Sequence, residues 1–173
     1  MHEQHHRYQE QDSTQTLREG LEEYHQNALL YKPTAMTPSS KRFFKAHDAC
    51  HVVFGCSTTP EQEALIDVWT MFGTTWQWSE YLGEVERPDQ KQRILGEIIP
   101  GVGYGRMAFL VLVTLPGCFT VYKRTQEMHQ KWGMYEYEPY LDTTLKDIRK
   151  KYNIRVYSSE KLPRTAPAVE SRI

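Results

Sequence analysis

Apolar residues recur along the chain with the period of an α-helix, and no stretch alternates apolar and polar residues over enough positions to predict a sheet. A first helix is predicted to begin near Asp12 or Ser13 and to end at Lys32-Pro33, because proline stops a helical pattern. A second helix begins at Pro38 and stops at Gly55, since glycine is favoured just past a helix end. The apolar stripe of the first helix consists of Leu17, Leu21, Tyr24 and Ala28.

A third helix is predicted to lie at the centre of the fold, because it is apolar nearly all round. The stretch Thr59-Pro60-Glu61-Gln62 supplies an N-cap, a proline at the first helical position and a glutamine that can close a capping box. The helix closes at Tyr81-Leu82-Gly83. Its apolar residues are Leu65, Ile66, Val68, Trp69, Met71, Phe72, Trp76 and Trp78.

Further helical segments complete the pattern, and an aromatic-rich loop precedes the last of them. The fold class that this predicts is all-α, a compact bundle of about six helices with an apolar tunnel or pocket. The further segments are Pro88 to Ile98, Met107 to Leu115 before an interruption at Pro116-Gly117, Thr120 to Trp132, and Tyr140 to Tyr152 with Asn153 as its C-cap.

The tunnel is expected beside the apolar run from Met107 to Leu115, which is too short to cross a bilayer because a spanning helix needs about 20 residues. Arg106 at the edge of this run could bind a carboxylate or an anionic head group of a ligand, or could simply reach solvent. Trp69 and Trp76 are the candidates to line the pocket, and the other aromatic residues of the third helix are expected in the core.

Length and composition fit one domain, with 173 residues, 39% hydrophobic residues and a formal net charge of −1. No basic stripe is present, so nucleic acid is not an expected partner. The three cysteines, Cys50, Cys56 and Cys118, lack paired spacing and suggest free thiols in a reducing compartment.

The two ends of the chain are polar, which predicts disordered tails at residues 1–12 and 158–173 on either side of a domain at 13–157. The first residues lack the apolar segment of a secretory signal, and their acidic residues do not suit a transit peptide. We therefore expect a cytoplasmic protein that can touch a membrane peripherally.

Four residues able to bind a metal lie on the second and third helices: His47, Asp48, His51 and Glu63. On a helix, His47 and His51 stand at i and i+4, so both imidazoles leave the same face, which Asp48 borders. Glu63 falls in the first turn of a helix that folds back to the height of His51. Two histidines and a carboxylate suit a divalent metal with open positions, zinc above all, with magnesium, manganese or iron as alternatives. A hydrogen-bonded polar network without metal is the other interpretation.

This pattern of residues resembles a known signature. His47-Asp48-x-x-His51, followed by eleven residues and Glu63, is similar to the His-Asp-x-x-His-x11-Glu signature of the Coq-four-type proteins of ubiquinone (coenzyme Q) biosynthesis. All four positions match at the fixed spacing. The segment from Leu145 to Ile154 resembles the closing helix of that family, so the resemblance extends from Pro38 to Tyr157.

The resemblance implies that the four residues bind the metal and that a prenylated aromatic intermediate places its tail in the tunnel and its head ring at the metal. It implies a role in ubiquinone biosynthesis through loss of the ring carboxylate, by a decarboxylation that can be coupled to hydroxylation. Expected partners are a prenylated lipid or quinone precursor, other quinone-biosynthesis proteins, a membrane surface and a second copy of the chain.

Two other functions compete with this interpretation. A metal-dependent hydrolase of the zincin type would need a glutamate where Asp48 stands, and a His-Asp phosphohydrolase would need an earlier histidine and a later aspartate. Only His25 and Asp67 could fill those two roles, and no spacing argument supports them. A non-catalytic prenyl-lipid carrier or scaffold protein is the stronger rival, because the apolar tunnel supports it equally well.

Overall fold

The structure of the protein, a computed structural model, describes residues 6–27, 38–77 and 104–157, with the backbone alone for residues 27, 39, 40 and 104–108. These residues form five α-helices and no β-strand, which confirms the all-α prediction. The predicted helix from Pro88 to Ile98 and the tail at 158–173 lie outside the described residues. The helices are α1 (Leu17–Asn27), α2 (Pro38–Phe54), α3 (Pro60–Gly73), α4 (Tyr104–Gln126) and α5 (Leu145–Tyr152), with 3-10 turns at Arg7–Gln9 and Glu138–Tyr140.

A glycine turn ends α2, as the sequence predicts. Gly55 has a φ of 71°, a left-handed conformation that L side chains rarely adopt. Its N–H donates to the carbonyl of Val52 (3.3 Å), and the N–H of Cys56 donates to the carbonyl of His51 (2.8 Å). This pair of bonds is a Schellman motif, which satisfies two carbonyls of the last helical turn and directs the chain towards α3.

The start of α3 lies at Pro60 as predicted, but the predicted capping box does not form. The side chain of Thr59 makes no capping hydrogen bond. Gln62 is buried, with 1% of its surface exposed, instead of reaching back to the helix end. Within the described part of the chain, neither amide atom of Gln62 has a hydrogen-bond partner. Local capping rules miss this because burial against the rest of the fold decides where the side chain goes.

The end of α3 lies at Gly73, well before the predicted stop at Tyr81-Leu82-Gly83, so that prediction is wrong. The carbonyl of Gly73 accepts a hydrogen bond from the N–H of Trp132 (2.8 Å), and the N–H of Thr75 donates to the carbonyl of Trp132 (2.9 Å). Another helical turn would need these same backbone groups, so the bridge to a distant loop ends the helix.

Helix α4 runs without a break through Pro116, so the predicted interruption at Pro116-Gly117 is wrong. Proline removes one N–H donor from a helix, but its fixed φ is compatible with helical backbone. Packing of α4 along α3 offsets that loss. The two segments predicted at Met107 to Leu115 and Thr120 to Trp132 are therefore parts of one helix that ends at Gln126.

The N-terminal segment packs on the core from residue 6 onward, which differs from the disordered tail predicted for residues 1–12. Tyr8 is only 1% exposed, and Arg149 of α5 donates to its backbone carbonyl (2.5 Å). The segment is polar in composition, but its single aromatic residue reaches the core. Residues 1–5 lie outside the described residues.

The last helix begins at Leu145, later than the predicted start at Tyr140, and ends at Tyr152 with Asn153 as its C-cap, as predicted. Thr144 is the N-cap, and its hydroxyl accepts a hydrogen bond from the N–H of Asp147 (3.2 Å). Asn153 adopts a left-handed φ of 55° at the C-cap. No helix in the described ranges is long and apolar enough to cross a membrane.

Candidate metal centre

Three of the four predicted ligands meet where the end of α2 faces the start of α3. His47 and His51 lie one turn apart on α2, and Glu63 lies in the first turn of α3. One potential ligand atom from each residue lies within 4.8 Å of the other two. His51 is 1% exposed, whereas 42% of the Glu63 side-chain surface is exposed. The three residues therefore sit at the edge of the core, with an open side at Glu63.

The ring of His51 is oriented by the turn that follows α2. Its Nδ1 lies 3.2 Å from the carbonyl oxygen of Cys56, which can only accept a hydrogen bond. Nδ1 is therefore the protonated nitrogen, and Nε2 carries the lone pair. Nε2 lies 3.6 Å from Oε1 of Glu63, close to the roughly 3.4 Å that separates two ligands of a tetrahedral zinc ion. A histidine that donates its other N–H to a carbonyl is the usual arrangement of a metal ligand.

Burial keeps both histidines neutral at physiological pH. It lowers the pKa of His47 to about 4, since the charged imidazolium loses its hydration. Burial and the neighbouring His47 lower the pKa of His51 well below its ordinary value. Neutral imidazole is the form that binds a metal ion, so no proton has to leave either ring.

The carboxyl group of Glu63 is shifted in the opposite direction. Partial burial of the carboxyl, together with the nearby carboxylates of Asp67 and Asp48, raises the pKa of Glu63 to about 8. Without a cation Glu63 is therefore largely protonated at pH 7, and a bound cation would stabilise its ionised form.

Asp48, the fourth predicted ligand, does not join this group. Its Oδ2 lies 3.0 Å from Nε2 of His25 on α1, and it also accepts a hydrogen bond from Tyr24. Burial raises the pKa of Asp48, while the contact with His25 opposes that rise. Neighbouring residues on a helix point about 100° apart, so Asp48 faces α1 while His47 faces the site.

Aromatic rings form the wall beside the histidines. Tyr24 stacks on His51 with ring centroids 5.1 Å apart, and Phe43 stacks on His47 at 5.7 Å. Trp76 packs against Phe43 at 5.8 Å and is 8% exposed, so it belongs to this wall. Flat rings next to a cation site can hold an aromatic ligand in a fixed orientation.

Trp69, another residue predicted to bind substrate, is not at this wall. Trp69 is fully buried and stacks on Phe54, with ring centroids 4.6 Å apart and an interplanar angle of 9°. It lies in the core between α2 and α3, which differs from its predicted place in a pocket. The side chain of Arg106 lies outside the described residues.

The sequence analysis assigned Tyr24 no role at this site. It considered His25 only as the earlier histidine that a His-Asp phosphohydrolase would need. Tyr24 fits the apolar stripe of the first helix, where it reads as an ordinary core residue. The available signal was the neighbouring pair Tyr24-His25 on a helix that must pack against α2. Nothing in local spacing shows that this pair faces Asp48.

The donor set fits a divalent metal ion with positions left for other ligands. Two neutral imidazoles and one carboxylate provide three protein ligands, and catalytic zinc sites usually have that number. Comparison of the chain with protein-family models, with curated proteins and with solved structures finds no match in any of the three. The assignment of this site therefore rests on its own geometry and on the spacing of its residues.

Proposed function

We propose that the protein binds a divalent metal ion through His47, His51 and Glu63 and acts in the biosynthesis of a ubiquinone-type prenylquinone. The observation that carries the proposal is the ring of His51, whose Nδ1 contacts the carbonyl of Cys56 while its Nε2 faces Glu63. Zinc suits this ligand set best, and magnesium, manganese or iron(II) are the alternatives. The spacing His-Asp-x-x-His-x11-Glu supports the assignment to quinone biosynthesis.

The proposed substrate is a prenylated hydroxybenzoate that loses its ring carboxylate. A bound metal ion supplies Lewis acidity that suits a carboxylate and a neighbouring phenol oxygen. The rings of Tyr24, Phe43 and Trp76 offer surfaces against which the head ring can stack. In the decarboxylation the ring–carboxyl bond breaks, carbon dioxide leaves, and the ring carbon keeps the electron pair and takes up a proton. A coupled hydroxylation would also need an oxidant such as dioxygen.

The prenyl tail is proposed to bind along α4, whose outer face exposes large apolar side chains. Leu112 is 66% exposed and Phe119 is 59% exposed. Apolar surface of this kind marks interaction sites for lipids or proteins. The same face supports peripheral membrane contact and association of two copies, which remain predictions, as does the apolar tunnel. Its other exposed members are Phe109, Val111, Leu115 and Tyr122.

This apolar face also favours a second candidate function, a non-catalytic carrier or scaffold for prenyl lipids. In that case the metal would bind a polar head group or would only join α2 to α3. The carrier and the enzyme share the same binding surface, so only a measurement of turnover separates them.

Metal analysis by mass spectrometry tests the first step of the proposal. The protein used carries His2→Gln and His5→Gln, because those histidines could bind metal by themselves, while His6 is kept because it stacks on Tyr8 (5.4 Å). We expect about one divalent ion per chain. Glu63→Ala should lose the ion, and Glu22→Ala, which removes an exposed carboxylate of α1, should keep it. Protein that stays metal-free after reloading would sink the proposal.

Turnover is tested with a short-chain prenyl hydroxybenzoate that carries ¹³C in its carboxyl group. Release of labelled carbon dioxide that disappears in His47→Ala would support the enzyme. Tight binding of the same compound without release of carbon dioxide would support the carrier instead.

A further inference from the structure

Arg149 on α5 is a buried cation whose hydrogen bonds all go to backbone carbonyls. It is 1% exposed, and no carboxylate forms a salt bridge with it in the described part of the chain. Nε donates to the carbonyl of Val53 (2.9 Å), and Nη2 donates to the carbonyl of Val52 (2.9 Å). Nη2 also donates to Tyr8, and Nη1 donates to Glu10 and to Gln11.

The positions of these carbonyls explain how the fold tolerates a buried charge. Val52 and Val53 lie in the last turn of α2, where carbonyls have no partner within the helix. A cation at this end also interacts favourably with the helix dipole. The planar fork of arginine can reach α2 and the N-terminal segment together, whereas a lysine ammonium is a single point of donation.

The same turn of the chain orients the ring of His51. Gly55 donates to the carbonyl of Val52, one of the two carbonyls that Arg149 holds on α2. The carbonyl of Cys56, next in the chain, lies 3.2 Å from Nδ1 of His51. The N-terminal segment contacts this turn too, since the hydroxyl of Tyr8 donates to the carbonyl of Cys56 (3.4 Å).

We infer that Arg149 is a positioning residue for the metal site, because it fixes the end of α2 and the Cys56 carbonyl that sets the orientation and tautomer of His51. The inference rests on the proposed metal site, although the effect on the His51 ring can be measured without metal. Through these hydrogen bonds Arg149 connects α5 and the N-terminal segment to the turn that carries the Cys56 carbonyl.

The test uses Arg149→Lys in the full chain, which keeps the charge and loses the fork. The probes are Zn²⁺ in competition with a chelator, the visible absorption of bound Co²⁺, and ¹H–¹⁵N spectra of ¹⁵N-labelled histidine rings. We expect metal affinity to fall about 10- to 100-fold, as for other residues that orient a metal ligand. The Co²⁺ spectrum should change, and His51 should lose its uniform Nδ1–H tautomer.

Val121→Ala is the matched control, because it truncates a fully buried side chain of α4 that has no part in the turn. Each protein is measured at the same number of degrees below its own thermal unfolding midpoint. Under these conditions Val121→Ala should keep the metal affinity, the Co²⁺ spectrum and the His51 tautomer of the wild type. If Arg149→Lys does not fold, Tyr8→Phe removes the hydroxyl that donates to Cys56 and should change the same readouts in the same direction to a smaller extent.

The inference is overturned if Arg149→Lys, or Tyr8→Phe in its place, folds and leaves the affinity and the His51 tautomer unchanged. A wild-type protein that binds neither ion would instead remove the proposed function. In that case the histidine spectra still show whether Arg149 orients the His51 ring, since a changed tautomer supports that orientation and an unchanged one overturns it.

Discussion

Arg149 and the pair formed by His51 and Glu63 both lie beside the turn after α2, and they differ in how their polar atoms are partnered. Every N–H group of Arg149 that donates does so to a backbone carbonyl of the chain itself. Across the turn, Nε2 of His51 and Oε1 of Glu63 lie 3.6 Å apart, longer than a hydrogen bond. The protein's own carbonyls therefore accept the hydrogen bonds of Arg149, whereas Nε2 of His51 and Oε1 of Glu63 face one another without a hydrogen bond. A bound metal ion would bridge these two atoms.

The largest effect is expected from removing Arg149, since the protein depends on this network without any ligand. Arg149→Met should remove the side-chain donor from the carbonyls of Val53 and Tyr8 and destabilise the metal-free protein by about 3 kcal/mol or more. Urea unfolding in the presence of a chelator measures this loss.

Arg155→Met is the matched control for that prediction. Arg155 pairs with Glu127 at the surface, with 56% and 50% of the two side chains exposed, so its loss should cost less than about 1 kcal/mol. Equal losses in the two variants would mean that the Arg149 network is no more important than a surface ion pair, and the comparison would fail.

The second largest effect is expected on Zn²⁺ affinity, and it should differ between Glu63, which faces the site, and Asp48, which faces α1. Glu63→Gln should weaken Zn²⁺ binding by about 100-fold or more, because it removes a charged ligand. Asp48→Asn should cost about 10-fold or less, because Asp48 contacts His25 and acts through its surroundings. Competition with a chelator at fixed pH measures both. Similar losses would show that Asp48 leaves His25 and binds the metal, as the sequence signature implies.

Local rules predicted the part of the site that lies on two consecutive helices. Helical spacing places His47 beside His51, and the Gly55 turn with Pro60 after it returns the chain so that Glu63 meets them. Each of these steps depends on residues close together in sequence. For this reason the three facing groups could be predicted without a structure.

Contacts between distant residues were not predictable in the same way. Asp48 pairs with His25, which is 23 residues away, and α3 ends because Gly73 and Thr75 bond to Trp132. The polar N-terminal segment is ordered because Tyr8 reaches the core. In all these cases local sequence is compatible with several outcomes, and tertiary packing selects one.

The pH dependence of stability should also distinguish the site from the Arg149 network. In metal-free protein the pKa of Glu63 is raised from an ordinary 4.5 to about 8, so the folded state binds more protons than the unfolded state between these values. Its contribution to stability is complete below pH 4.5 and is lost as pH rises through 8. The depressed pKa values of His47 and His51 act in the opposite sense, with stability lost as pH falls below 6.5.

Between pH 7 and 8 the histidines have finished titrating, the cysteine thiols of the unfolded chain, which ionise near pH 9.0, have barely begun, and Glu63 accounts for most of the change. Urea midpoints in chelator should therefore fall across this window in the wild type and should stay level in Glu63→Gln. Saturating Zn²⁺ should also flatten the wild-type profile, because a bound cation keeps Glu63 ionised. A fall that persists in Glu63→Gln would assign the titration to another group.

The smallest effect is expected at Gln62, which precedes Glu63 in the chain and, like the site, has polar atoms without a hydrogen bond among the described residues. Both of its amide atoms are buried without a hydrogen-bond partner among the described residues, so Gln62→Met should stabilise the metal-free protein by about 1 kcal/mol. Gln15→Met is the control, because Gln15 is also buried, with 8% of its surface exposed, but donates to Glu23 (2.9 Å), and its loss should destabilise by about 1 kcal/mol. Thermal unfolding of the two variants gives the sign directly. A destabilised Gln62→Met would mean that the fold already satisfies this amide.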